Sequence, residues 1–266
     1  MRLPWFALNV FTVRVALNII FRYTEFMFVD LQYQPMIEDF NKDGELRIEA
    51  ILKLFENAGN THSDKAGDNI INRKDEGQAW VLTDWLVQIE SFPKYGDKIF
   101  ARTWCEPVTQ VFGTARDFEL YANDKIVGIG TTRWISLNLQ TGRPEKIDTR
   151  LIDMYTTEDK FTFTKAKLPR LTVPETFSSE TPIQLRRCDI DIYNHVHNLT
   201  YLDYAMEALP QEVYEHHNFK NVRISYKSAV VQGEKIICKY AAQENEHSIC
   251  IFSQDGTLKT QIVVSQ

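Results

Sequence analysis

The order of strand, Asx-rich turn, helix and antiparallel meander occurs twice in this chain, and that duplication restricts the available folds more than any other feature. In the first passage a strand-like run from Phe28 leads to Glu38-Asp39-Phe40-Asn41-Lys42-Asp43-Gly44, whose Asx residues and glycine mark a turn. A helix is predicted from about Glu45 to Ala66, closed by Gly67. Leu46, Ile48, Ile51, Leu52, Leu54, Phe55 and Ala58 make it apolar on more than one face, as a helix enclosed in core would be. Strands are predicted at 80–92, 99–105, 115–121 and 126–139.

The second passage repeats this order. Val222-Arg223-Ile224-Ser225-Tyr226-Lys227 alternates, with one face buried and one solvated. Gln232-Gly233-Glu234-Lys235-Ile236 echoes Tyr95-Gly96-Asp97-Lys98-Ile99. A final hairpin, 249–252 and 260–264 around Gln254-Asp255-Gly256, echoes the last hairpin of the first copy. Antiparallel sheet wrapping a central helix, twice over, is an α+β arrangement. The predicted organisation is a first copy at 27–150, a polar, proline-punctuated linker at 151–181 and a second copy at 182–266.

Residues 1–26 stand apart. The run from Trp5 to Phe21 is apolar but interrupted by Asn9, Arg14 and Asn18. A membrane span needs about 20 predominantly apolar residues and bears a central arginine poorly. The stretch reads as an extension upstream of an initiator at Met27, with a membrane-surface helix as runner-up. A net charge of −6 argues against a general nucleic-acid binder. Cys105, Cys188, Cys238 and Cys250 form no Cys-x-x-Cys, and the six histidines lack metal-ligand spacing. Reduced, mostly buried thiols in a cytoplasmic protein without metal or other cofactor are expected.

The chemistry concentrates between Arg186 and Pro210, where a short polar loop carries Asp191, Asn194, His195 and His197. Asn198 is predicted to cap an apolar helix that Pro210 helps to end. Unpaired N–H groups at such a helix start favour developing negative charge, so a carbonyl could be polarised there.

This stretch resembles the Asp-x-Asp-x-Asn-x-His-Val-Asn-Asn-x-x-Tyr signature of acyl-[acyl carrier protein] thioesterases, which are double hot-dog enzymes. Asp189, Asp191, His195, Val196, Asn198 and Tyr201 fall in register. Tyr193 stands where the family has Asn, and His197 where it has the first Asn of the pair. The resemblance continues through Trp80-Val81-Leu82, Phe92-Pro93, Arg116-Asp117-Phe118, Trp134-Ile135 and Gly142-Arg143-Pro144. It implies a tandem hot-dog that hydrolyses fatty acyl-carrier-protein thioesters, with chemistry in the second copy and the first enclosing the acyl chain. An acyl-binding protein with little turnover and an acyl-CoA thioesterase are the alternatives.

His195 is the natural general base, since an imidazole titrates near neutral pH. The resemblance places Asp191 in the same network, orienting His195 or the attacking water; an Asx turn is its other role. Asn194 is a candidate for the family's amide shifted by one place, and the Tyr193 hydroxyl competes for that position. Asn198 is expected to cap rather than react. The family's Glu, or in plant members an adjacent Cys, maps onto Ala229 and Val230, so no covalent route is expected. Ser228 and Glu234 lie nearby without register support. The implied partner is an acyl carrier protein bearing fatty acyl-phosphopantetheine. Its docking would use Lys165, Lys167, Arg170, Arg186, Arg187, Lys220 and Arg223, because the chain as a whole is acidic. A homodimer is left open.

Overall fold

A computed structural model describes residues 28–163, 168, 170–216 and 218–266. The proposed extension at 1–26, with its initiator Met27, lies outside these residues, as do Lys165 and Lys167. Among the described residues no helix is long and apolar enough to cross a membrane.

The strands are β1 (Val29–Tyr33), β2 (Gln78–Ile89), β3 (Ile99–Cys105), β4 (Gly113–Ala122), β5 (Lys125–Asn138) and the short β6 (Arg143–Pro144) in the first copy. The second copy supplies β7 (Ser179–Ile183), β8 (Asn221–Tyr226), β9 (Ile236–Gln243), β10 (Glu246–Ser253) and β11 (Leu258–Ser265). The helices are α1 (Ile48–Ala66), α2 (Ile70–Asp75), α3 (Thr149–Tyr155), α4 (Thr200–Glu207) and α5 (Gln211–His216). The fold is therefore the α+β hot-dog duplication that the sequence predicts.

The two predicted sheets meet edge to edge. Strand order is β1-β3-β4-β5-β2-β8-β11-β10-β9-β7, one antiparallel surface of eleven strands with β6 paired to β5. The seam is β2 against β8, with Trp85 opposite Ile224 and Val87 opposite Val222. All four of those side chains are buried. The pairing removes an edge strand from each copy, which would otherwise present unpaired N–H and C=O groups.

Helix α1 begins three residues later than predicted because the backbone before it is already engaged. Leu46 N–H donates to the Pro93 carbonyl and Arg47 N–H to the Asp39 carbonyl, holding both extended. The helix ends at Gly67 in the left-handed conformation, φ 83°, as predicted. Its Phe55 ring stacks on Phe118 and Trp85 of the sheet. Gly130 of β5 permits that approach: a Cβ there would lie 2.9 Å from the Phe55 ring. In the second copy α4 has eight residues and buries Tyr201, Leu202, Tyr204 and Ala205.

Cys105, Cys238 and Cys250 are buried free thiols, and Cys188 is exposed on a single 3-10 turn, Arg187–Asp189. One expectation needs correction here. Arg223 was expected on a solvated face available for docking. Because β8 lies at the seam, its guanidinium instead bonds Asp84 and the Trp85 carbonyl of the neighbouring strand. Arg170, Arg186, Arg187 and Lys220 are exposed, and Arg186 is paired with Asp189.

Candidate active site

The polar loop of the second copy is a backbone device that the first copy also possesses. In the first copy Asn41 Oδ1 accepts the N–H groups of Asp43 and Glu45 at 3.0 and 2.9 Å, and Gly44 has φ 72°. In the second, Asp191 Oδ1 accepts the N–H groups of Tyr193 and His195 at 2.8 and 3.2 Å, and Asn194 has φ 63°. Asn41 N–H donates to the Glu45 carbonyl, as Asp191 N–H does to that of His195. Likewise Arg47 N–H reaches the Asp39 carbonyl, as His197 N–H reaches that of Asp189. The duplication thus superposes Glu45 on His195, Gly44 on Asn194 and Arg47 on His197.

This equivalence explains Asn194. The position requires a left-handed residue, which glycine supplies in the first copy and asparagine, among the side chains most tolerant of that conformation, in the second. Its side chain is exposed and does not line the cavity described next. The structure therefore brings Asp191 and His195 together on one wall and leaves Asn194 off it.

That cavity has a volume of about 820 Å³ and runs between the copies' contributions. This lies in the upper part of the roughly 300–1,000 Å³ range usual for small-molecule sites. The second copy supplies Asp191, Tyr193, His195, His197, Asn198, Ser228 and Ala229. The first supplies apolar surface from Trp80, Leu82, Trp85, Phe118, Ile135 and Leu137. Ala229 therefore reaches the cavity, whereas Val230 is wholly buried and Glu234 is tied to Lys259 and the Val231 N–H.

The loop is pinned from the β8–β9 connection. Val196 N–H donates to the Val230 carbonyl at 2.8 Å, and His195 forms an isolated bridge with Val231. Val230 N–H in turn donates to the Tyr201 hydroxyl at 2.8 Å. Tyr226 donates its hydroxyl to the Asn198 carbonyl at 2.8 Å. Asn198 is not the helix cap: the turn winds one residue further, and Leu199 occupies the cap without a side-chain bond. The N–H groups of His197, Thr200 and Leu202 are taken by backbone carbonyls, which reduces what the helix start can offer a ligand.

Polar contacts join the two copies at this loop: Lys74 Nζ donates to the Ile192 carbonyl at 2.6 Å, and a second contact involves His197. His197 Nε2 lies 3.2 Å from Glu56 Oε2 of α1. The Glu56 hydrogen bond raises the His197 imidazole above its ordinary value, against the opposing effect of burial. Sequence reasoning treated α1 as core alone and missed Glu56. The available signal was a set of polar residues, Glu56, Asn60 and Ser63, at helical spacing beside the apolar face. All three line the cavity. Beyond them the first-copy end of the cavity is polar but internally paired. Asp68 receives bonds from Arg73 at 2.9 Å, Trp80 at 2.8 Å and Tyr155 at 2.7 Å. His62, buried on the same helix, meets Arg116 at 2.8 Å.

Two family models match this chain: the acyl-ACP thioesterase N-terminal domain over residues 27–155 and the C-terminal domain over 173–263. Among curated relatives, an oleoyl-acyl carrier protein thioesterase of Coriandrum sativum is 26% identical over 233 residues, covering 79% of this chain. Oleoyl-acyl carrier protein thioesterase 1 of Arabidopsis thaliana is 25% identical over 207 residues, covering 71% of it. The aligned regions make up 61% and 57% of those relatives' own lengths. Among solved structures, an acyl-ACP thioesterase from Bacteroides thetaiotaomicron shares the fold with a TM-score of 0.78 at 20% identity, covering 90% of this chain and 97% of its own. A 12:0-ACP thioesterase from Umbellularia californica does so with a TM-score of 0.81 at 16% identity, covering 90% and 96%.

Proposed function

The chain belongs to the acyl-ACP thioesterase family, and from that premise we propose that it hydrolyses the thioester of a fatty acyl-[acyl carrier protein] to release free fatty acid. The observation that carries this reading is the histidine-bearing loop opening onto a largely apolar cavity that extends into the first copy. The cavity takes the acyl chain, and the loop receives the thioester at its second-copy end.

In the proposed reaction His195 accepts a proton from water as the water oxygen bonds to the carbonyl carbon. The carbonyl π electrons move onto oxygen, and the tetrahedral intermediate collapses with cleavage of the C–S bond. The departing sulfur takes up one proton, leaving carboxylic acid and phosphopantetheine thiol, and His195 returns to its starting state before the next turnover. Asp191 uses Oδ1 to brace the loop, which leaves Oδ2 for holding water or the imidazole. Carrier docking would draw on the exposed Arg170, Arg186, Arg187 and Lys220.

A second reading, acyl binding with little turnover, is favoured by Ala229, which lines the cavity where the family's carboxylate is expected. Thiol release from palmitoyl-carrier protein and palmitoyl-CoA separates the two. Hydrolysis should be seen on the carrier protein and fall by roughly 10²–10⁴ in His195→Ala, the usual range for a positioned proton acceptor. Tight acyl binding without release would establish the second reading, and full activity in a folded His195→Ala protein would remove His195 from the chemistry.

A further inference from the structure

The family signature has an amide side chain where this protein has His197, and the geometry around that substitution supplies a different chemistry. His197 leaves the loop two residues after His195, so the site contains two imidazoles on one cavity wall. They differ in surroundings. His197 Nε2 faces Glu56 Oε2 at 3.2 Å, and Glu56 is brought there by α1 of the other copy. Among the described residues His195 engages through its backbone, with Asp191 and Val231, and has no carboxylate on its ring.

We propose that His197, held by Glu56, is a catalytic residue of this site: a charged donor whose Nδ1–H stabilises the thioester oxyanion and then protonates the leaving sulfur. This inference rests on the thioesterase reading above. An imidazolium carries protons on both nitrogens. With Nε2–H committed to the Glu56 carboxylate, Nδ1–H is the proton left to give.

The balance of charges agrees. The Glu56 hydrogen bond is the largest influence and raises His197, burial opposes it, and the nearby charges of Glu56, Asp191 and Asp203 all act in the raising direction. The packed neighbours are therefore acidic from α1, from the loop and from α4, and Tyr226 stands close to Glu56 as a neutral phenol. A side-chain donor adds to what the helix start offers, since the amides of His197, Thr200 and Leu202 are spent on backbone carbonyls. The two imidazoles then divide the work: His195 takes the water's proton in its neutral form, and His197 donates in its charged form. In the forward reaction His195 gains the water proton, the thiolate gains the His197 proton, and the two exchange through solvent between turnovers.

A rate profile with two limbs follows, the alkaline one reporting loss of the His197 proton. The test combines kcat/KM against pH for palmitoyl-carrier protein with NMR titration of the His197 ring, in wild type, Glu56→Gln and His197→Asn. The His197 titration should lie above 6.5 and move down in Glu56→Gln, taking the alkaline limb with it. In His197→Asn, which restores the family's amide, the alkaline limb should vanish. His197→Ala should lower kcat by roughly 10²-fold, as loss of one oxyanion donor does. An alkaline limb unchanged in both Glu56→Gln and His197→Asn would overturn the catalytic role while leaving the hydrolase reading intact. A wild type that titrates as stated but releases no thiol would instead overturn the hydrolase reading, and the catalytic role with it.

Discussion

Replacing Tyr201 by Phe removes one oxygen atom from the centre of the second copy, and the consequence can be worked out from its surroundings. Tyr201 is 2% exposed and Val230 wholly buried, so neither group has water as an alternative partner. The hydroxyl accepts the Val230 N–H at 2.8 Å. The ring itself packs edge-on to Tyr226, with centroids 5.6 Å apart, and a phenylalanine retains that contact. The loss is therefore a buried N–H left without an acceptor, which costs about 1–3 kcal/mol. For a chain of this size that corresponds to a fall in Tm on the order of 2–10 °C. The same residue holds the histidine-bearing loop through its carbonyl, which accepts Val196 N–H. Urea unfolding followed by tryptophan fluorescence should show a lower midpoint with an unchanged slope, since the surface exposed on unfolding is the same. Hydrogen exchange should show the Val230 amide losing protection in the variant. An unchanged midpoint together with a fully protected Val230 amide would show that the hydroxyl does not carry this bond.

Asp191→Asn should fold with near wild-type stability, because Asn41 already performs the same turn in the first copy, yet hydrolyse more slowly through loss of the carboxylate; a thermal melt beside a rate measurement checks both. Gly130→Ala should destabilise by about 1–3 kcal/mol, the usual cost of overpacking, because the new methyl meets the Phe55 ring at 2.9 Å; equal urea midpoints would refute the close approach. For Asp189, burial acts to raise the carboxyl, but bonds from Tyr204 and from the Arg186 backbone and guanidinium outweigh it and hold it below its usual value. Its stabilisation is thus present above the unfolded carboxylate value and lost as pH falls through the lower folded one, and Asp189→Asn should flatten that acid limb of a stability profile. Glu106, pushed up to about 6 chiefly by burial, has the opposite sign: its contribution is present below 4.5 and lost as pH rises through about 6, so Glu106→Gln should flatten the stability profile in that window.

The duplication, the enclosed helix and the polar loop were all legible in the chain, because each is written in local chemistry. Apolar spacing announced α1, Gly67 its end, and the Asx residues the two equivalent turns. What the sequence misjudged was direction and partnership. Asn194 looked like a displaced amide, but a left-handed turn position, revealed by its match to Gly44, decides where it points. Arg223 looked solvated because its strand alternates; only the seam with β2 sets Asp84 beside it. Glu56 looked like one polar residue on a core helix, and His197 like a departure from a motif. Their meeting depends on packing one copy's helix against the other copy's loop, a long-range arrangement that residue spacing does not encode. The sequence by itself determined which side chains the loop would carry. Only the tertiary structure decided which of them face the cavity and which carboxylate the second histidine would find, because side-chain neighbours across two halves are set by packing and not by order along the chain.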